Sequence, residues 1–452
     1  MANFSKSNVP RFSVEVYQNE FLPEGGREVN AIVTVTSTGG GTSGGLPIAG
    51  ASASPSSIPG RRTEAAVVVM VDCSGSMDYP ATKMRNARDA TVAAIDTLRD
   101  GTAFAVVSGT HVAAEVYPGG GRLATADATT RAEAKEALRR LSAGGGTAIG
   151  TWLRLADRLL GDADVSIRHG ILLTDGRNEH EAPEELRAAL DACAGRFTCD
   201  ARGVGTDWEV KEVTGIASAL LGTADIVADP SGLAADFTRM MENAMGKEVA
   251  DVALRLWTPV GAEIVFVKQV APTVEDLTGR RTDAGPRAGD YPTGSWGDES
   301  RDYHVCVRVP EAGVGREMLA ARASLIIPDP ADGTPRPLAQ GLVRAVWTDD
   351  VAASTSISPQ VAHYTGQAEL AEVIQQGLDA RKSGDFDNAT AKLGRAVMLA
   401  AASGNEDTAK LLAKVVDVVD AATGTVRLKA RVTEADEMTL ETRSTKTVRV
   451  KK

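Results

Sequence analysis

At 452 residues the chain is too long for one hydrophobic core, and roughly two to four domains are expected. Hydrophobic residues make up 43% and charged residues 24%, ordinary for a soluble globular protein, and the formal net charge of −11 argues against a nucleic-acid-binding surface as its main business. No stretch is apolar and long enough to span a bilayer, and the N-terminus (MANFSKSNVPRFSVEV) lacks the apolar centre of a signal peptide. Cys73, Cys193, Cys199 and Cys306 are spaced like neither a zinc site nor a dense disulfide framework. The expectation is a cytoplasmic protein without nucleic-acid or membrane partners.

In chain order, residues 1–38 hold two alternating runs, Phe12 to Tyr17 and Val29 to Thr36, and period-two alternation marks half-buried strands. Residues 39–64, rich in Gly, Ser and Pro, read as a linker or surface loop. They include Gly41-Thr42-Ser43-Gly44-Gly45, a formal match to the hydrolase Gly-x-Ser-x-Gly pattern. That pattern needs a strand before it and a helix after it, and neither is expected here.

From 65 to 247 short apolar runs alternate with helical stretches. Strands are expected at Ala65 to Val71, Phe104 to Ser108, Gly170 to Thr174, Thr198 to Val204 and Ala224 to Val227. Helices are expected at Thr82 to Leu98, Thr130 to Leu141, Ala148 to Leu160, Pro183 to Cys193, near Val210 to Leu220, and from Leu233 onward. Wholly apolar strands separated by helices imply an α/β fold, a Rossmann-like, mostly parallel sheet covered on both faces. Residues 248–350 return to alternation, with strands at Val252 to Trp257, Ala262 to Val267, Tyr303 to Val309, Ala321 to Ile327 and Leu342 to Trp347, which suggests a β-sandwich. A lone hairpin is barely stable, so residues 9–37 are expected to pair into this sandwich, making the α/β domain an insertion in it.

Residues 361–422 read as a small helical region: Gln367 to Lys382, Phe386 to Ala402 and Glu406 to Ala421. The first two resemble a single tetratricopeptide unit, too few for a solenoid, so a small bundle packed on the sandwich is expected. Residues 423–452 read as a basic, disordered tail: from Thr425 on there are eight Lys/Arg against four Asp/Glu. Thr433, Thr439, Thr442, Thr445 and Thr447 make phosphorylation of this tail the sharper alternative.

The chemistry is expected where ligands bind in such sheets, outside the carboxyl ends of the strands. Asp72-Cys73-Ser74-Gly75-Ser76 follows the first apolar strand, Thr147 ends Gly144-Gly145-Gly146-Thr147 before a helix, and Asp175 opens Asp175-Gly176-Arg177-Asn178 after another strand. Two carboxylates and three hydroxyls thus reach one rim. They are hard oxygen donors, suited to Mg²⁺, with Mn²⁺ or Ca²⁺ as alternatives. The rival reading is that Ser74 or Ser76 caps the next helix, which leaves Thr147 and Asp175 unexplained. Cys73 reads as packing behind the loop, His169 as a strand residue that packs or hydrogen-bonds, and His180 and Asp78 as rim or surface residues.

This ordered set resembles the metal-ion-dependent adhesion site of von Willebrand factor type A domains, of a bacterial cytosolic type, over roughly 180 residues. The resemblance implies that Ser74, Ser76 and Thr147 coordinate the metal, that Asp72 and Asp175 act directly or through water, and that a partner's Asp or Glu completes the shell. It implies a non-enzymatic protein–protein interaction scaffold, set in a signalling system with kinases, phosphatases and phosphothreonine-reading domains. The alternative is a subunit docking on an AAA+ ATPase of the MoxR or chelatase type. The chain has no Walker A motif, so any ATPase would act in trans. Metal-dependent hydrolysis is a weaker third reading, because no positioned base is evident near the motif.

Overall fold

The computed structural model describes residues 11–38, 65–328 and 334–450. The Gly/Ser/Pro-rich segment 39–64, with its hydrolase-like pattern, lies outside them. The chain divides into two compact units: Thr38–Ala250 with Gly294–Asp298, and Arg11–Ser37, Asp251–Thr293 and Glu299–Lys452. No helix among the described residues is long and apolar enough to cross a membrane.

Strands β1 (Arg11–Gln18), β2 (Phe21–Leu22) and β3 (Glu28–Thr38) open the chain. The first unit then runs β4 (Ala65–Asp72), α1 (Thr82–Thr97), β5 (Ala103–Gly109), β6 (Ala113–Tyr117), β7 (Ala124–Thr125), α2 (Ala128–Leu138), α3 (Ile149–Gly161), β8 (Ile167–Thr174), α4 (Pro183–Cys193), β9 (Thr198–Val204), α5 (Val210–Ala219), β10 (Ala224–Val227) and α6 (Leu233–Met245). The sheet order is β10-β9-β8-β4-β5-β6, with β7 also on β5. Strands β10 to β5 in that order are parallel, while β6 and β7 run antiparallel at the edge. β6 escapes a sequence reading because it is a short edge strand that is only partly buried.

β4 is central, so both its faces are covered, which is why seven apolar residues run without alternation. Val67, Val69 and Val71 share a core with Ala87, Ala90 and Ile95 of α1 and Phe237 and Met241 of α6. Each of the valine, isoleucine, phenylalanine and methionine side chains among these contributes about 1.5–3 kcal/mol on burial. Helix α3 contacts β4 and β5, burying Ile149, Trp152, Leu153, Ala156 and Leu160 at helical spacing. The Trp152 ring fills the place of any side chain at Gly109, whose Cβ would lie 2.2 Å from it. Chain order reverses between β4 and β8, since β5 lies on one side of β4 and β8 on the other. The crevice at their carboxyl ends is therefore the switch point where a ligand is expected.

In the second unit β11 (Val249–Trp257), β12 (Glu263–Ala271), β13 (Glu275–Asp276), β14 (Thr282–Asp283), β15 (Ala288–Trp296), β16 (Glu299–Arg308), β17 (Glu317–Pro328) and β18 (Pro335–Trp347) build two sheets. Their orders are β1-β3-β16-β12-β13 and β14-β15-β11-β17-β18-β2. β3 pairs antiparallel with β16 from Glu28↔Arg308 to Ser37↔Glu299, burying Val29, Ala31, Ile32, Val33 and Val35. In chain order the α/β segment is thus inserted between strands of these sheets. β15 escapes a sequence reading because Gly289, Pro292 and Gly294 look like turn residues.

After a short helix α7 (Val351–Thr355), α8 (Pro359–Lys382) and α9 (Phe386–Ser403) form a helical hairpin. Gly384 turns it at φ +82°, and the Asp385 carboxylate accepts the Asn388 N–H to start α9. Gly377 has no room for a side chain, since a Cβ there would lie 2.8 Å from Leu393. The expected third helix is cut short: α10 (Glu406–Val415) gives way to β19 (Val416–Asp420), paired with β20 (Thr425–Leu428). The run Val415-Val416-Asp417-Val418-Val419 is β-branched at four positions, which favours strand over helix.

The disordered tail expected at 423–452 is overturned for the described residues 425–450. Helix α11 (Glu434–Arg443) puts Leu440 in a core with Leu370, Ile374, Leu378, Leu393 and Val426. The residues that follow are pinned: Val274 donates to the Thr445 carbonyl, Thr447 N–H to that of Pro272, and Thr447 Oγ1 to that of Val270. Arg449 meets the buried Asp302 at 2.9 Å, and the same carboxylate accepts from Thr34 Oγ1 at 2.6 Å and from the Tyr364 hydroxyl. Thr433 caps α11 and Thr442 is buried. The basic residues misled because Leu440 and Met438 carry the packing within a strongly charged stretch.

Candidate metal centre

Asp72 closes β4 and is wholly buried. One carboxylate oxygen accepts the Ser74 N–H at 2.8 Å and the other the Thr174 hydroxyl at 2.7 Å. These are neutral donors. Burial, opposed by hydrogen bonds from Ser74 and Thr174 and reinforced by the Asp175 charge, pushes the Asp72 pKa up to about 6.

The next loop is tied down by main chain. Cys73 N–H donates to Gly109, Gly144 N–H to Cys73, and Gly75 N–H to Gly145, at 2.7, 2.8 and 2.9 Å. Gly145 adopts φ +79°, where a side chain is strained and where a Cβ would lie 2.9 Å from His111 Nδ1. These bonds lay the Gly144–Thr147 segment beside the Asp72–Ser76 loop. Neither serine caps a helix: the N-cap of α1 is Ala81, and Ser74 makes no side-chain cap to the single 3₁₀ turn Gly75–Asp78.

The hydroxyls are instead turned to one another. Ser74 Oγ lies 3.0 Å from Ser76 Oγ, and Ser76 Oγ donates to Asp175 Oδ1 at 2.7 Å. A Cβ built on Gly176 would lie 3.1 Å from Ser76 Oγ, 3.6 Å from Thr147 Oγ1 and 3.9 Å from Ser74 Oγ. The five residues expected from the sequence are therefore brought together, and three hydroxyl oxygens border a space that glycine at 176 leaves open. This donor set fits a hard divalent cation that keeps some of its waters. Ser74, Thr147 and both aspartates are buried and Ser76 is exposed, so the space opens on the Ser76 side.

The structure adds residues the sequence reading missed or undervalued. His180 Nδ1 accepts the Thr147 N–H at 3.2 Å, and the His180 main-chain N–H donates to the Thr147 carbonyl at 3.0 Å, so an exposed histidine positions a motif hydroxyl. Asn178 Oδ1 accepts from Ile149 N–H and Glu181 Oε1 from Gly150 N–H, at 2.8 and 2.7 Å, fixing the start of α3 to the Asp175 loop. Lys83 Nζ sits 2.7 Å from Asp175 Oδ2 and 3.3 Å from Asp207 Oδ2. Burial opposes its charge, but the two aspartates outweigh it and raise its pKa. Asp78 is exposed. Cys73 is buried, and burial pushes its thiol up to about 12. His169 lies toward the amino end of β8, bonded to Thr198 and Asp200.

An open, mostly parallel α/β sheet with hydroxyls and carboxylates gathered at its switch point defines the class of Rossmann-like α/β modules. Within that class the chain belongs to the von Willebrand factor type A family. The von Willebrand factor type A domain family matches residues 65–226, and the von Willebrand factor type A C-terminal domain family matches 398–444, reaching into the stretch expected to be disordered. A von Willebrand factor type A protein from Catenulispora acidiphila is 52% identical over 99% of both chains, with a TM-score of 0.90. The ArnB paralogue VWA2 from Sulfolobus acidocaldarius shares the fold at 13% identity, covering 96% of this chain and 98% of its own, with a TM-score of 0.58. No curated protein sequence matches the chain.

Proposed function

We propose that this protein is a metal-dependent interaction module of the cytoplasm, in which a Mg²⁺-type ion takes a carboxylate from a protein partner. Von Willebrand factor type A domains are generally protein–protein interaction modules, and the finer reading rests on the site. The observation that carries it is the convergence of Ser74, Ser76 and Thr147 on the space over Gly176, beside Asp72 and Asp175. In this reading those three hydroxyls and the two carboxylates hold the ion, with Mn²⁺ or Ca²⁺ as substitutes for Mg²⁺. The ion supplies a positive centre for an incoming Asp or Glu. The chain's own part is to fix the hydroxyls through the stitched glycine loop and His180 and to hold Asp72 away from water.

A binding role is favoured over catalysis by the state of the nearest reactive groups. Cys73 is buried with its pKa raised to about 12, the reverse of an activated nucleophile, and His180 spends its acceptor nitrogen on the Thr147 amide. The test is partner capture from lysate by the wild type and by Asp72→Ala, each with Mg²⁺ and with EDTA. Proteins held only by the wild type with Mg²⁺ are the expected result. The same proteins retained in all four conditions would sink the proposal.

A further inference from the structure

Lys83 stands in the first turn of α1 with its side chain only 7% exposed, in contact with a motif carboxylate at 2.7 Å. Asp175 is fully engaged, because Ser76 takes its other oxygen. Asp72 has no such cation among the described residues and is held by a main-chain N–H and a hydroxyl. Asp207 is the second carboxylate near the ammonium, but at 71% exposure and 3.3 Å it is the screened and weaker partner. Among the described residues, the candidate centre thus brings together two buried carboxylates, Asp72 and Asp175, and one buried ammonium, Lys83.

The charge balance has a consequence for what the centre takes. Two carboxylates alone would neutralise a divalent ion, and a neutral centre gains little from another anion. With the ammonium present, the loaded centre keeps one surplus positive charge beside its open side. We propose that Lys83 sets the ligand preference of the metal centre: it opposes the divalent ion, keeping metal affinity down, and makes the loaded centre demand an anionic ligand. This rests on the metal reading given under Proposed function. It differs from a packing role, in which Lys83 would only keep Asp175 in place and its loss would weaken metal and anion binding together.

The test uses the full chain stripped of metal, as wild type, Lys83→Met, Lys83→Gln and Lys83→Arg. Mn²⁺ is titrated by calorimetry, and acetate is then titrated onto the Mn²⁺-loaded protein by water-proton relaxation. Lys83→Met is expected to bind Mn²⁺ about tenfold more tightly and acetate about tenfold more weakly, the order produced by removing one nearby charge at intermediate dielectric. Lys83→Arg, which keeps the charge, is expected to stay near wild type. Lys83→Gln can still donate to Asp175 without a charge, so it gives the same reading should the Met variant fail to fold. Mn²⁺ affinity unchanged or weaker in the uncharged variants, or acetate affinity unchanged, overturns the inference and leaves the metal reading intact. A folded wild type that takes up no Mn²⁺ at all overturns both.

Discussion

Two aspartates on the same sheet, Asp72 and Asp200, are almost equally buried and oppositely treated. Asp200, near the amino end of β9, accepts from Thr223 N–H at 2.7 Å and Thr223 Oγ1 at 2.6 Å, and pairs with His169 Nε2 at 3.0 Å. Burial works against its charge, but the His169 bond and charge, Arg202 and Thr223 outweigh it, so its pKa is held well below the ordinary value. Arg202 in turn pairs with Asp236 at 2.7 Å. Asp72, at the carboxyl end of β4, receives only neutral donors among the described residues and is pushed up to about 6. A buried carboxylate that is given cations belongs to the architecture. One kept short of them, among converging hydroxyls, is what the proposed metal reading requires: a place for a cation that comes from outside.

The contrast is broken or sharpened by three measurements. The largest effect is expected from Asp200→Ala, which strands His169 and Thr223: unfolding should become easier by about 3–5 kcal/mol, with Mn²⁺ affinity unchanged in the folded protein. A parallel loss of Mn²⁺ affinity would erase the distinction between the two ends. Asp72→Asn should behave in the opposite sense. Because the native pKa of Asp72, about 6, lies above the unfolded value of about 3.9, the native state binds more protons between them. The stability of the metal-free wild type therefore falls as pH rises through that window, and the cost is complete above it. Asp72→Asn should thus gain about 3 kcal/mol in EDTA above that window, the gain fading as pH drops through it, while Mn²⁺ binding is lost. Denaturant melts across pH read this directly, and a variant less stable than wild type at neutral pH would contradict it. The smallest effect is His180→Ala, expected to cost about 1 kcal/mol and to weaken Mn²⁺ about tenfold through a loosened Thr147.

The parallel sheet was legible because its central strands are unbroken apolar runs ending in Asp72 and Thr174-Asp175, and that pattern also announces where the motif lies. Lys83 was not legible. A lysine in the first turn of an amphipathic helix looks like any solvated residue until the Asp175 loop is folded over it. Asp207 is hidden for the same reason, and His180, expected at the rim or the surface, shows its hold on Thr147 only once the sheet brings the two loops together. In the second unit, periodicity caught strands that alternate and missed β15, where glycine and proline interrupt the pattern. The C-terminal stretch shows the limit of composition: a few well-placed apolar side chains order it despite its excess of basic residues.

The pairing of β3 with β16 has a bearing on how the chain is made. Thr34 and Asp302, bonded across those strands, lie 268 residues apart, and Arg449 completes the same cluster. Ile32 and Tyr17 share a core with Val270, Val361, Tyr364 and Val450. The α/β sheet, by contrast, is complete once Val227 has been synthesised. On the ribosome that sheet can close while the opening strands still wait with bare hydrogen-bonding edges for partners not yet translated. Arg449, translated after both Thr34 and Asp302, seals the cluster that they form. Chains that stall before β16 therefore carry a finished α/β sheet together with unpaired, aggregation-prone strands, and those strands are what quality control meets.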